Sequence, residues 1–353
     1  MSEAAFELGC AQLIERVDYL RSSIACDAPG RMQREWLHFV VHAGAVELIV
    51  NFSLRRPAGE GRGALTGQLL LLARRTGGGS TEWEGDVDDV PPERVHAGAG
   101  RIRLVLDEAS LDFDGAFHLR AACRRRPLAV ALTFTPRSMP YLVHNSGFDE
   151  GGAIHWVVVP RLTALGTIRW GAETLNLDGA AAYHDHNWGS FRGSDLAWEW
   201  GCSLGAGDAQ PWSVVFVRIL DRARAHCVSQ GLLLWHRGHR RRVFRDRELT
   251  CGAEGLLRLD GSLRVPRALS LLAPGVAADV PAVLRFAASS DGDQVAGELT
   301  AADFGRVLIP RDTDLGTTAI HEVAGRISLR GTIGGAPLSV DAPAFAEFLG
   351  ESA

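Results

Sequence analysis

From residue 46 onward, the feature that most limits the fold is a hydrophobic period of two. Val46, Leu48, Val50, Phe52 and Leu54 alternate with Glu47, Ile49, Asn51 and Ser53. A strand with one face in a core reads this way, because successive side chains point to opposite faces of a sheet. Comparable segments lie around 65–74, 101–106, 116–123, 128–135, 154–159 and 164–170. They continue at 212–219, 225–236, 255–260, 281–288, 295–299 and 323–333. Thr76-Gly77-Gly78-Gly79-Ser80, Val90-Pro91-Pro92 and Ser289-Ser290-Asp291-Gly292-Asp293 punctuate them as turns. Many short strands with regular breaks predict a mainly β fold of sandwiches or barrels rather than an α/β fold.

Helix is expected only at the ends. Phe6, Cys10, Leu13, Val17 and Leu20 form one apolar stripe at three- and four-residue spacing, predicting a helix over 4–25. The turn residues Asp27-Ala28-Pro29-Gly30 follow it. Asp341-Ala342-Pro343 predicts a short C-terminal helix near 343–349, with proline at its first turn. A chain of 353 residues is long for one core. The expected organisation is a helical segment over 1–30 and two β domains, 31–200 and 201–353. The arginine-rich run Arg237 to Arg247 reads as a solvated strand edge that resists edge pairing.

Composition removes several classes of function. The 37 basic residues are all arginine. A lysine Schiff base, a lysine-bound pyridoxal phosphate and a Walker-type phosphate loop are thereby excluded. A net charge of −5 argues against nucleic acid or an anionic membrane as partner. The six cysteines are dispersed without a C-x-x-C pair, as in reduced, cytoplasmic proteins. No apolar run is long enough to span a membrane, and Met1-Ser2-Glu3 does not open a signal peptide.

The chemistry is concentrated in Tyr183-His184-Asp185-His186-Asn187-Trp188-Gly189. On a strand, Tyr183, Asp185 and Asn187 share one face, and His184, His186 and Trp188 share the other. Which face lines a pocket stays open at this level. The two imidazoles could begin a metal site, with His144, His155 or His226 as a third ligand. With no acidic residue at a diagnostic spacing, they read instead as hydrogen-bonded wall residues, and no metal is expected. Gly201-Cys202-Ser203-Leu204-Gly205 fits the G-x-S-x-G nucleophile elbow, but Ala206-Gly207-Asp208-Ala209-Gln210-Pro211 is a loop where that motif needs a helix. Nine tryptophans accompany only three tyrosines. Trp36, Trp156, Trp170, Trp188, Trp198 and Trp200 fall near these segments. Indoles are commonly core, yet in a pocket they also stabilise developing positive charge.

The heptapeptide, followed by Trp198-Glu199-Trp200-Gly201, resembles the carotenoid 1,2-hydratase family. That family belongs to a lipocalin-like superfamily which also includes fungal Diels–Alderases. Glu35-Trp36, His155-Trp156 before Pro160, and Glu322-Val323-Ala324-Gly325-Arg326 through Gly331 look similar as well. The resemblance implies two tandem lipocalin-like β domains with an apolar pocket and no cofactor. It also implies that Tyr183, Asp185 and His155 carry catalysis. Trp36, Trp156, Trp188, Trp198, Trp200, His184, His186 and Asn187 would then contact substrate.

The expected function is acid-assisted hydration or cyclisation of an apolar unsaturated molecule, an isoprenoid or polyene. Protonating an alkene requires a carboxylic acid kept out of water, and Asp185 between aromatic walls would meet that need. A Diels–Alderase-like pericyclic cyclase and a non-catalytic lipid carrier are the alternatives. A carrier has little reason to bury a carboxylate, which favours an enzyme.

Overall fold

The computed structural model describes residues 3–21, 32–56, 65–148, 152–191, 196–205, 207, 209–222, 224–259, 263–272, 280–310 and 317–351. The turn Asp27–Gly30 and the tail of the expected first helix lie outside these residues. The chain forms two compact units, Met1–Arg192 and Gly193–Ala353.

In the first unit, helix α1 (Glu3–Val17) precedes β1 (Gln33–Ala43), β2 (Val46–Arg56), β3 (Thr66–Gly77) and β4 (Ser80–Val90). Four short strands come next: β5 (Val95–Ala97), β6 (Arg103–Leu106), β7 (Ala109–Phe113) and β8 (Phe117–Ala122). Then follow β9 (Leu128–Pro136), β10 (Tyr141–Phe148), β11 (Gly152–Trp170), β12 (Glu173–Asn176) and β13 (Ala180–Ser190). The antiparallel sheet runs β4-β3-β2-β1-β13-β11-β9-β8-β7-β6-β5. It curls until Gly67 on β3 meets Leu106 and Val95, and a Cβ at Gly67 would lie 2.5 Å from a Leu106 methyl. The result is a nearly closed barrel. Leu37, Phe39, Val50, Phe52, Leu71 and Phe134 belong to its continuous apolar filling.

The second unit contains β14 (Leu196–Ser203), β15 (Trp212–Asp221), β16 (Cys227–His236), β17 (His239–Arg245) and β18 (Leu249–Leu256). After β19 (Arg264–Val265) and the short helix α2 (Arg267–Leu272) come β20 (Pro281–Ser290), β21 (Asp293–Pro310), β22 (Thr317–Ile333) and β23 (Ala336–Glu351). The sheet order is β17-β16-β15-β14-β23-β22-β21-β20-β18. Its core includes Phe216, Phe244, Phe304, Ile327 and Phe348. The arginine-rich run forms the terminal strand β17, and Arg242 there pairs with Glu248, Asp291 and Asp293.

The mainly β class expected from the alternation is what the chain adopts, and three local expectations are corrected. The C-terminal helix is absent, since 343–349 lies within β23. Ala342, Ala344, Ala346 and Phe348 enter the core at period two, and this alternation outweighs the proline signal. Pro343 accepts a hydrogen bond from Leu204 N–H at 2.7 Å. Its missing donor therefore faces the point where β14 leaves the sheet, a position at which proline is tolerated. The helical stripe is also rotated. Cys10 and Ile14 are buried, whereas Leu13 is 38% exposed, and the helix stops at Val17 so that Asp18 turns inward. Finally, the strand expected at 255–260 runs instead from Leu249 to Leu256, paired with β20.

Candidate active site

Strand β13 lies between β1 and β11, so each of its residues has a neighbour on both sides. Trp36, Asn187 and Trp156 make one cross-strand row, and His38, Asp185 and Val158 make the next. Val40 pairs with Tyr183 one step further along. Directly paired residues share a face. Tyr183, Asp185 and Asn187 therefore sit with Trp36, His38 and Trp156 on the face turned away from the barrel filling. Gly189 allows this close strand packing, because a Cβ there would lie 2.0 Å from the Ala153 carbonyl oxygen. Pro160 and Arg161 occupy a bulge in β11 between the pairs of Val159 and Leu162. Proline is confined to such irregularities inside a sheet. The Arg161 N–H is satisfied by Ser138 Oγ at 3.0 Å.

Asp185 is held from both sides on this face. The Tyr183 hydroxyl donates to its Oδ2 at 2.8 Å, and the Asn187 amide donates to its Oδ1 at 2.7 Å. Tyr183 is 0% and Asp185 4% exposed, while Asn187 and Trp36 are only partly buried, so exposure on this face increases towards the Asn187 end. His38 is held neutral. Burial, reinforced by the neighbouring His184, drives its pKa down to about 3. The Asn51 amide nitrogen lies 3.4 Å from His38 Nδ1, and Ser53 Oγ donates to Asn51 Oδ1 at 2.9 Å.

The opposite face carries a different assembly. His184 Nε2 lies 2.9 Å and His186 Nδ1 2.6 Å from the two oxygens of Asp18. His186 Nε2 lies 2.8 Å from Glu35 Oε1, and His184 Nδ1 donates to the His38 carbonyl at 3.0 Å. All four side chains are fully buried. Burial opposes the charge on His186, but the bonds to Asp18 and Glu35 prevail and push its pKa up to about 9. Burial likewise opposes ionisation of Asp18, yet its two histidine partners hold it well below the usual carboxylate range. The ring nitrogens of this pair are thus occupied by protein acceptors. Among the described residues no group of three or more His, Cys, Asp or Glu is arranged to hold a metal ion.

The structure therefore separates the residues that the sequence grouped. Tyr183, Asp185, Asn187, Trp36 and Trp156 come together. His155, one position from Trp156, falls on the other face, where its ring stacks on Trp188 with centroids 5.6 Å apart. Trp188 also receives the Arg21 guanidinium 4.1 Å from its ring centroid. Trp198 and Trp200 belong to the second unit. Ser203 of the G-x-S-x-G match is buried and accepts the Val214 N–H at 2.9 Å, and the next element among the described residues is the strand β15.

Three residues escaped sequence reasoning. Asp18 carries no motif, and only its position just past an amphipathic helix could have drawn notice. His38 sits in an apolar strand with no distinguishing spacing. Glu347 in the second unit accepts a hydrogen bond from the Trp198 indole. Burial pushes its pKa up to about 7 against the opposing effect of that bond. An isolated acid in Ala344-Phe345-Ala346-Glu347-Phe348-Leu349 is the signal that could have found it.

No family model matches the chain, and no curated protein matches it. Solved structures do. One is a protein assigned as AttH from Nitrosomonas europaea, 14% identical with a TM-score of 0.61 over 95% of this chain and 97% of that one. Kievitone hydratase from Nectria haematococca is 11% identical, with a TM-score of 0.57 over 90% of this chain and 89% of that one. CghA is 13% identical, with a TM-score of 0.51 over 91% of this chain and 89% of that one. The shared fold is the lipocalin-like one that the heptapeptide suggested, and a hydratase is among the proteins built on it.

Proposed function

We propose that the chain is an enzyme that hydrates or cyclises an apolar unsaturated small molecule, with Asp185 moving the proton. The observation that supports this reading is the placement of the Asp185 carboxyl between the Tyr183 hydroxyl and the Asn187 amide on a face walled by Trp36 and Trp156. In the forward step the carboxyl O–H breaks as a C–H bond forms from the alkene π pair, leaving a carbocation and a carboxylate. The bonds from Tyr183 and Asn187 strengthen as charge appears on the carboxylate, so they favour the transition state over the ground state. The indole faces of Trp36 and Trp156 stabilise the cation. Water then adds to the cation and returns a proton to Asp185, or an internal double bond closes a ring. In that case the new ring cation loses a neighbouring C–H proton to the Asp185 carboxylate, forming a double bond and regenerating the acid. Neutral His38 can orient that water without competing for the proton. Each step uses side chains alone, and no cofactor is required.

Incubating the protein with prenylated and polyene compounds in H₂¹⁸O tests this reading by mass spectrometry. Hydration adds the mass of labelled water, and cyclisation gives an isomer of unchanged mass and altered retention. A carrier would return every compound unchanged, and that outcome would overturn the reading.

A further inference from the structure

The indole N–H of Trp156 is buried, with the residue 3% exposed, and has no acceptor among the described residues. Indole nitrogen is a donor only, and buried donors without a partner are rare in native proteins. Trp198 in the second unit shows the ordinary outcome, donating its N–H to Glu347. Trp156 is paired in register with Asn187, so it stands on the Asp185 face, one row nearer the partly open end. Two residues of strand separate the rows, a distance of about 7 Å along the sheet. This donor therefore lies beside the site and is not spent within it.

We infer that the ligand of the Asp185 face carries an oxygen that accepts the Trp156 N–H. The inference rests on the proposed site and narrows its substrate. The compound is an unsaturated molecule bearing a carbonyl, hydroxyl or ether oxygen, and a pure hydrocarbon is disfavoured. A site with a buried donor discriminates strongly against an analogue lacking the acceptor, because that analogue leaves the donor unpaired. The apolar part of the ligand lies against Trp36 and the ring of Trp156, with its double bond towards Asp185.

Matched probes test the inference: geranylacetone against the hydrocarbon with CH₂ in place of its carbonyl, and chalcone against its deoxo counterpart. In ¹⁵N-tryptophan-labelled protein, the Trp156 indole resonance is assigned by its loss in Trp156→Phe. It should shift downfield on titration with at least one ketone and not with its hydrocarbon. That ketone should bind the wild type roughly 10–100-fold more tightly than its hydrocarbon, the scale of one buried hydrogen bond. Trp156→Phe should abolish this preference, because the apolar packing it loses weakens the ketone and its hydrocarbon by the same factor while only the ketone loses the hydrogen bond. An unmoved indole resonance with every ketone, or a preference that survives Trp156→Phe, overturns the inference and leaves the donor to solvent. Turnover by Asp185→Asn is read separately. Its loss beside an indifferent Trp156 refutes only the oxygen contact, and its retention beside a responsive Trp156 refutes only the proton-transfer role.

Discussion

The carboxyl of Asp18 lies 2.6 Å from Nδ1 of His186, a residue 168 positions later in the chain. This contact fixes the end of α1 to the strand that carries Asp185. The chain turns out of the helix at Val17, and Arg21 returns to bond the Val17 carbonyl at 2.8 Å and cap it. The histidines on one face of β13 thereby anchor the strand, and its other face carries the proposed site.

Asp18→Ala should destabilise the first unit by about 3–5 kcal/mol, the scale for removing one partner of a buried ion pair. The loss is read as an earlier first transition in urea. A change below about 1 kcal/mol would mean that the cluster does not hold the helix.

The same cluster dictates a pH dependence. His186 has a folded pKa of about 9 against an ordinary 6.5, so between these values the folded protein holds a proton that the unfolded chain has released. Its contribution is complete below pH 6.5 and is lost as pH rises through 9. Asp18, depressed from 3.8, contributes above that value and loses its contribution as pH falls towards its lowered pKa. His38, lowered from 6.5 to about 3, acts in the opposite sense to His186 and withdraws stability as pH falls below 6.5. The first unit should therefore be most stable near pH 6.5 and weaken both towards pH 9 and towards pH 3. Melting curves across this range should lose the alkaline decline in His186→Gln, although that variant is less stable throughout.

Glu347 gives a prediction for the second unit. Its pKa is raised from 4.5 to about 7, so folding favours the protonated form, and stability falls as pH rises between these values. Glu347→Gln removes the penalty for ionising the carboxyl. It should raise the second unit's melting temperature at pH 8 by roughly 2–4 °C, and by less at pH 5. Equal effects at both pH values would show that the carboxyl is solvated.

Much of this was legible in the sequence because it is local. The alternation at Val46–Leu54 gave β2, and the period of two correctly put Tyr183, Asp185 and Asn187 on one face. The same period sets His155 and Trp156 on opposite faces, yet the resemblance grouped them in one site, and the structure separates them. What escaped was of two kinds. At Pro343 a local helix signal lost to the long-range alternation of β23. At Leu13 and Ile14 a short apolar stripe was compatible with two helix rotations, and only the inward turn of Asp18 selects one. The Asp18–His186 contact spans most of the first unit, and no local pattern encodes it. Trp156 and Trp198 are the same residue type on the page, and only the structure distinguishes a satisfied indole from an unsatisfied one.

The most direct measurement is turnover and ligand affinity of Asp185→Asn beside the wild type. The amide keeps the shape of the carboxyl and a place for the Tyr183 hydrogen bond but cannot release a proton. Turnover should fall by roughly 10²-fold or more, the scale for a lost general acid, with the dissociation constant nearly unchanged. Tyr183→Phe should lose less, since the phenol positions the acid without supplying the proton. Full hydration or cyclisation activity in a folded Asp185→Asn protein would contradict the account and leave Asp185 as a structural residue of β13.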